Sequence, residues 1–385
     1  MEGRAVLLAH SSQAAVMSEN SSMYDSLQKY RAADLTRLAT SIFVHEGLPP
    51  SDAKIVAESL VTADLRGIDT HGVARIPSYV ERFPKRLVEP RPQIVVTSRM
   101  PWAASIDGGN GMGPVVANRA MSEAIYRAES FGIGAATAHR SNHFGAAAHY
   151  ALQAVAHDCI GITLTPASKS LAPFGSREPL FGTNPIAVAV PAGSHAPWVM
   201  DMASSVAARG HVRLAARHGK PIPEGWSLDE QGRPTTDAEA ALAGVMLPFA
   251  GVKGSALAML IDILGGVLSG SGFAGTIRDM TRDFDAPQDV GHFFLAMKVE
   301  AFMPLPEFNE RMETAIARLK GLKPAAGFTE VLYPGEPEAR RQRKHLEHGI
   351  PLTPEVYDSI KRVAEPSGIA MPAAIAALAE GRAAL

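Results

Sequence analysis

The sequence predicts an α+β protein, with a mixed-sheet part set beside a helical part. Three observations carry this reading. Apolar residues recur at helical spacing from Ala32 to Phe83, and the middle third switches to short strand-like runs. Proline and glycine punctuate those runs without a regular strand–helix–strand alternation.

Residues 1–25 are polar and serine-rich and predict a disordered extension. From Ala32 to Val44, the residues Leu35, Leu38, Ile42 and Phe43 predict a first helix. Gly47-Leu48-Pro49-Pro50 breaks it, and Ser51-Asp52 offers the N-cap of a second. Ile76, Tyr79, Val80 and Phe83 mark another, with Pro77 acceptable in its first turn. The run Glu89–Gln93 reads as an extended linker and first boundary. Beyond it, Ile94–Thr97 and Ala103–Ile106 predict short strands, and Asp107–Gly113 a glycine-rich turn. Pro114 suits the first position of a helix that Gly132 ends. Ile133–Ala138, Ile160–Thr165, Ile186–Val190 and Trp198–Met202 predict four strands, with a helix around Ala146–Ala156. Residues 219–245 read as a surface excursion, and Leu257 to Leu268 and Arg311 to Leu319 as helices. The domains expected are 26–92, completed by 280–385, and 93–279.

A net charge of -2 gives no field for nucleic acid or an anionic membrane. The single cysteine, Cys159, allows no internal disulfide, so a reducing, cytoplasmic setting is expected. No segment approaches the roughly 20 apolar residues of a membrane helix.

The chemistry gathers at Asp64–Arg75, where a helix is expected to end. His71 stands between Thr70 and Gly72, with Arg75 four residues on. Such a pair suits a proton donor beside a carboxylate clamp, the planar guanidinium matching a carboxylate. A helix-terminal histidine with an unrelated surface arginine is the plainer alternative. His143, in Arg140–Gly145, sits at a strand-to-helix turn, where a structural role competes with a proton-carrying one. Asp201 lies in an apolar run, either as hydrogen-bonded structure or as a tuned site residue.

Gly270-Ser271-Gly272-Phe273-Ala274-Gly275 matches a dinucleotide fingerprint by letter, but a helix precedes it and no strong helix follows. A helix exit is the better reading. His139 with His143 and His345 with His348 have helical spacing, yet the zinc-protease pattern is absent and no metal is expected.

Several segments in one order resemble a known family. They are Asp64–Arg75, Ile106–Gly111, Ser141–Gly145, Phe181–Pro185, Met200–Ala203, Pro221–Trp226, Gly251–Gly254 and Tyr333–Pro337. Together they resemble the malate/L-lactate dehydrogenases that do not use a Rossmann fold. That family includes ureidoglycolate and sulfolactate dehydrogenases, diketogulonate reductase and piperideine-2-carboxylate reductases. The resemblance spans about Leu35 to Ile369 and implies a largely antiparallel mixed sheet binding NAD or NADP. It makes 93–279 the cofactor domain and 26–92 the substrate side of a homodimer.

It implies hydride exchange with a small 2-oxo or 2-hydroxy acid, or with a cyclic imine carboxylate; a metal-dependent hydrolase is the alternative outside the family. Catalytic roles would fall to His71, His143 and Asp201, and substrate binding to Thr70, Arg75 and Thr183. Cofactor contacts would fall to Ala167, Ser168, Asp201, Met202, Ala203, Lys253, Gly335, Glu336 and Pro337. Two departures stand out. Thr70 replaces the family's usual serine, and the residues around Lys253 differ from its usual glycine- and histidine-rich run.

Overall fold

The computed structural model describes residues 26–375. The expected extension 1–25 and the alanine-rich end 376–385 lie outside the described residues.

Strand β1 (Gln28–Tyr30) leads into helix α1 (Ala32–His45), whose buried face is the one its spacing predicts: Leu35, Leu38, Ile42 and Phe43. Helix α2 (Pro50–Leu65) corrects the expected cap. It starts on Pro50, whose fixed φ suits a first helical position, while the Ser51 hydroxyl donates to Asp52 at 3.3 Å. Two single helical turns, Asp69–His71 and Val73–Arg75, connect α2 to the short α3 (Ile76–Val80).

The sheet half contains β2 (Val95–Met100), β3 (Ala103–Asp107), α4 (Gly113–Phe131), β4 (Ile133–Ser141), α5 (Ala148–Val155) and β5 (Cys159–Leu164). It continues with β6 (Ile186–Val190) and β7 (Trp198–Met202). Gly132 ends α4 with φ 78°, a left-handed conformation that a Cβ disfavours. Segment 209–246, which contains the expected excursion 219–245, is more structured than that reading. It holds α6 (Arg209–Arg217), β8 (Ser227–Leu228), β9 (Pro234–Thr235), α7 (Ala238–Ala243) and β10 (Val245–Met246). These elements share a small core that includes Val212, Ile222, Ala238 and Ala241. Helix α8 (Val252–Asp262) follows, ending in a π turn at Ile263–Val267.

Strand β11 (Val290–Lys298) is the main surprise. The sheet runs β2-β3-β4-β11-β5-β6-β7, so β11 is its middle strand. Only β3 and β4 pair in parallel, which makes the sheet mixed and largely antiparallel, as expected. Residues 290–298 therefore sit with the sheet rather than with the helical half. A short apolar run buried on both faces carries no period that separates strand from buried helix. Phe294, fully buried within it, contributes about 2–3 kcal/mol of hydrophobic stabilisation.

Helix α9 (Leu305–Lys320) also belongs with the sheet half, where Ile316 packs with Ala192 and Tyr333. Helix α10 (Glu336–His348) precedes β12 (Ile350–Leu352) and α11 (Pro354–Ala364). Strand β12 pairs antiparallel with β1, and Ile350, Leu352 and Ile360 join the core of α1 and α2.

Small residues let α5 lie close on the sheet. A Cβ at Gly161 on β5 would stand 2.3 Å from the Ala151 carbonyl oxygen. Ala187 and Ala189 on β6 and Ala148, Ala151 and Ala154 on α5 complete that contact. This close packing carries the start of α5 to the end of β7, where the candidate site lies. Among the described residues no helix is long and apolar enough to cross a membrane.

Candidate active site

A cleft of about 580 Å³ opens between the end of α2, the loop before α5, the end of β7 and the start of α10. Its lining includes Arg66, His71, Thr183, Asp201, Tyr333 and Glu338.

A buried carboxylate shapes the loop that bears His71. The Asp64 side chain accepts from the Val73 N–H at 2.8 Å, and burial raises its pKa well above the ordinary value. That carboxylate presses on Gly72, where a Cβ would fall 1.7 Å from Asp64 Oδ1. Only glycine fits there, so His71 and Arg75 emerge on either side of a fixed point.

Within this loop His71 Nδ1 lies 2.9 Å from the Thr70 hydroxyl, and Arg75 Nε donates to the Thr70 carbonyl at 2.6 Å. The latter bond uses one guanidinium edge and leaves both terminal nitrogens for a ligand. Burial, then the charge of Arg75, holds the His71 pKa down to about 4. His71 is therefore neutral at neutral pH in the ligand-free protein.

The second histidine reaches the site from the end of β4. The rings of His71 and His143 stack with centroids 5.6 Å apart. His143 Nδ1 lies 2.8 Å from the Tyr79 hydroxyl and 3.3 Å from the Gly145 backbone nitrogen. Burial, then Arg75, His71 and His292, hold its pKa well below the ordinary value. Behind this loop the fully buried His292 joins three strands, bonding Thr165 at 2.8 Å and Ser141 at 2.9 Å. Its ring stacks on Phe144 at 4.6 Å, and burial lowers its pKa to about 3.

Asp201, at the end of β7, accepts from the Ala148 N–H at the start of α5 at 3.1 Å. Burial of the carboxyl group pushes its pKa up to about 6, against the pull of that N–H and of Arg66, while Glu338 adds to the rise. The side chain still reaches water in the open cleft, which moderates the shift.

The structure thus gathers His71, Thr183, Asp201, Met202, Ala203, Gly335 and Pro337 along one cleft, with His143 stacked on His71 and Thr70 and Arg75 beside it. Other expected cofactor residues stand elsewhere. The Ala167 N–H donates to the Asn184 side chain at 3.0 Å, and neither Ala167 nor its neighbour Ser168 lines the cleft. The Glu336 carboxylate is held by Lys320 at 2.7 Å and Arg340 at 2.6 Å instead of facing the cleft. Lys253 stands exposed in the first turn of α8. The residues just before it line a separate cleft of about 470 Å³ with Phe174 and Arg177.

Sequence reading missed Arg66, Tyr79 and Glu338. Arg66 is buried, its Nε has no hydrogen-bond partner among the described residues, and it lies in the fields of Glu338 and Asp201. Its place inside the Asp64–Arg75 segment was the available signal. Tyr79 was legible only as a core residue. No group of three His, Cys, Asp or Glu able to hold a metal occurs among the described residues.

Comparison with known proteins bears directly on this cleft. The model of the malate/L-lactate dehydrogenase family matches residues 30–361. The chain belongs to that family. It is 38% identical over 331 residues to a malate dehydrogenase of Pyrococcus horikoshii, covering 84% of this chain and 91% of that protein. It is 30% identical over 328 residues to a Delta(1)-pyrroline-2-carboxylate reductase of Pseudomonas fluorescens, covering 85% and 96%. The solved structure of sulfolactate dehydrogenase from Methanocaldococcus jannaschii superposes with a TM-score of 0.84 at 35% identity, covering 89% of this chain and 98% of that one. This member of the malate/L-lactate dehydrogenase family is an oxidoreductase, and its family acts on small hydroxy and oxo acids.

Proposed function

We propose that the chain interconverts a small 2-oxo acid and the matching 2-hydroxy acid with NAD or NADP. The observation that carries this reading is the convergence of His71 and Asp201, from two distant segments, on one cleft, with Arg75 beside His71.

The cleft fits a dinucleotide. The N-termini of α5 and α10 both open on it, through Gly145, Ala146, Ala147, Gly335 and Pro337. The positive end of the helix dipole at such starts suits a diphosphate. Asp201, Met202, Ala203, Gly335 and Pro337, which line the cleft, would hold the cofactor. When bound, a nicotinamide dinucleotide supplies or takes the hydride.

The chain's own residues do the rest. Arg75 presents its two terminal nitrogens to the substrate carboxylate. That carboxylate offsets the positive charge that depresses His71, so substrate binding raises the proton affinity of His71. His71 then gives its proton to the oxygen that becomes the hydroxyl, and takes one back in the reverse direction. Asp201, close to the same cleft, stabilises positive charge there. Thr70 and Thr183 shape the substrate end.

Reduction of a cyclic imine carboxylate is the second reading. It is supported by the Pseudomonas fluorescens relative and would use the same Arg75 contact.

A homodimer is supported by α8 and its π turn, which expose Val252, Met259, Leu260, Ile263, Val267 and Leu268 on the surface. An apolar patch of this extent marks an interface, and a second copy is the occupant proposed. A cytoplasmic setting fits the buried, unpaired Cys159.

The test is oxidation of NADH and NADPH against pyruvate, oxaloacetate, sulfopyruvate and piperideine-2-carboxylate. Saturable turnover with one acid and one nucleotide is expected, and it names both. No turnover with any of the four overturns the reading.

A further inference from the structure

The two histidines at the cleft have different hydrogen-bonding freedom, and the difference lies in what each Nδ1 touches. A backbone N–H can only donate. The Gly145 N–H is directed at His143 Nδ1 at 3.3 Å, so that nitrogen carries its lone pair. The Tyr79 hydroxyl, 2.8 Å from the same atom, then has one role open to it: it donates. Tyr79 is buried, and its hydroxyl makes no other hydrogen bond among the described residues. A proton on His143 Nδ1 would strand that hydroxyl proton and set two N–H groups against each other.

His71 is held differently. Its Nδ1 faces the Thr70 hydroxyl at 2.9 Å, a group that donates and accepts equally well by rotating. Either neutral tautomer of His71 is therefore satisfied, and its other nitrogen is free to carry or to accept a proton. No backbone donor constrains it among the described residues.

We propose that Tyr79, with the Gly145 N–H, locks His143 in its Nε2–H tautomer, so that His143 is a fixed hydrogen-bond donor and His71 alone shuttles the proton. Tyr79 is then a positioning residue: it acts through His143. The low pKa of His143, produced by burial and by the neighbouring Arg75, agrees with a ring that stays neutral. His292 and Phe144 brace the loop from behind, which keeps the Gly145 N–H aimed at the ring. The division of labour rests on the oxidoreductase reading above, whereas the lock itself does not.

The lock is read by nitrogen NMR on the ligand-free, full-length chain labelled with 15N-histidine. His143 is assigned by its loss in His143→Gln, and Tyr79→Phe is recorded beside the wild type. In the wild type, His143 is expected to show a protonated Nε2 and a bare Nδ1, unchanged from pH 6 to 8. In Tyr79→Phe the two nitrogens should move toward averaged values as both tautomers become populated. A protonated Nδ1 or averaged shifts in the wild type overturn the proposal, and so does an identical spectrum in Tyr79→Phe.

The kinetic arm separates the two histidines. His143→Gln retains a side-chain N–H donor and should keep kcat within about tenfold, whereas His71→Gln should lose roughly a hundredfold or more. Equal losses overturn the division of labour. A chain with no dehydrogenase activity would refute the functional reading and leave the NMR result standing on its own.

Discussion

His71 and His143 stack with ring centroids 5.6 Å apart and planes 20° from parallel, although one ends a helical connection and the other ends a strand. Arg75 lies close enough to depress both. Burial disfavours a charge on either ring, and the nearby Arg75 adds to that, so the ligand-free cleft keeps both rings neutral. The guanidinium of Arg75 is then the positive group beside the two rings that a substrate carboxylate would meet.

Separate roles for His71 and Arg75 predict separate kinetic signatures. His71→Ala should lower kcat by roughly a hundredfold or more, the usual span of general acid–base catalysis. Arg75→Leu should mainly raise KM, by roughly tenfold to a hundredfold, the worth of hydrogen bonds to a charged group. Steady-state kinetics with the best acid of the panel separates the two. Full activity in His71→Ala would end its assignment as proton carrier.

The pH profile for hydroxy-acid oxidation follows from the free-enzyme groups. The reaction needs an unprotonated base, so kcat/KM should be level at high pH and fall as pH drops. With Asp201 pushed up to about 6 and His71 held at about 4, the acid limb should begin near pH 6. Asp201→Asn should move that limb toward the His71 value. A limb that stays in place would show that Asp201 does not report on the reaction.

Acid should also unfold the protein through His292. Its pKa falls from 6.5 to about 3 on burial, so the unfolded chain binds the proton first. Stability is complete above pH 6.5 and is lost as pH drops toward 3. By pH 4 this group alone costs about 3 kcal/mol. Melting temperatures from pH 4 to 7 should fall steeply for the wild type and less steeply for His292→Gln. Parallel curves would exclude His292 as the source.

Gly72 offers a steric test of the loop. Alanine there would drive a methyl group into the Asp64 carboxylate, which must then leave the Val73 N–H. Denaturant unfolding should show a loss of about 3 kcal/mol, in the range of overpacked sites. Turnover should drop as well, because His71 is adjacent. Unchanged stability would mean that the loop relaxes freely.

The exposed stripe on α8 predicts the assembly state. Leu260→Glu with Ile263→Glu should convert a dimer to monomers, read as a halved mass by light scattering. A wild-type chain that is already monomeric would remove the dimer from the proposed function.

Much of this protein is legible in its sequence. The face of α1, the strand Ile186–Val190, the strand Trp198–Met202 and the stop at Gly132 follow from spacing and from local backbone preference, and the structure reproduces them. The motif order carried the family, and the Thr70–Arg75 segment carried half of the site. Local sequence determines these because periodicity, turn chemistry and caps act over a few residues. Tertiary structure alone decided the rest. The middle strand Val290–Lys298 has no period to announce it, and it is a strand because neighbours on both sides complete its hydrogen bonds. Glu336 turned from the cleft because Lys320 and Arg340 hold it, and Lys253 came to rest beside a different cleft. Tyr79 reads as core on its own helix and becomes a partner of His143 only when β4 delivers that ring beside it. Contacts between distant segments are set by how helices and sheet pack together, and no local pattern encodes them.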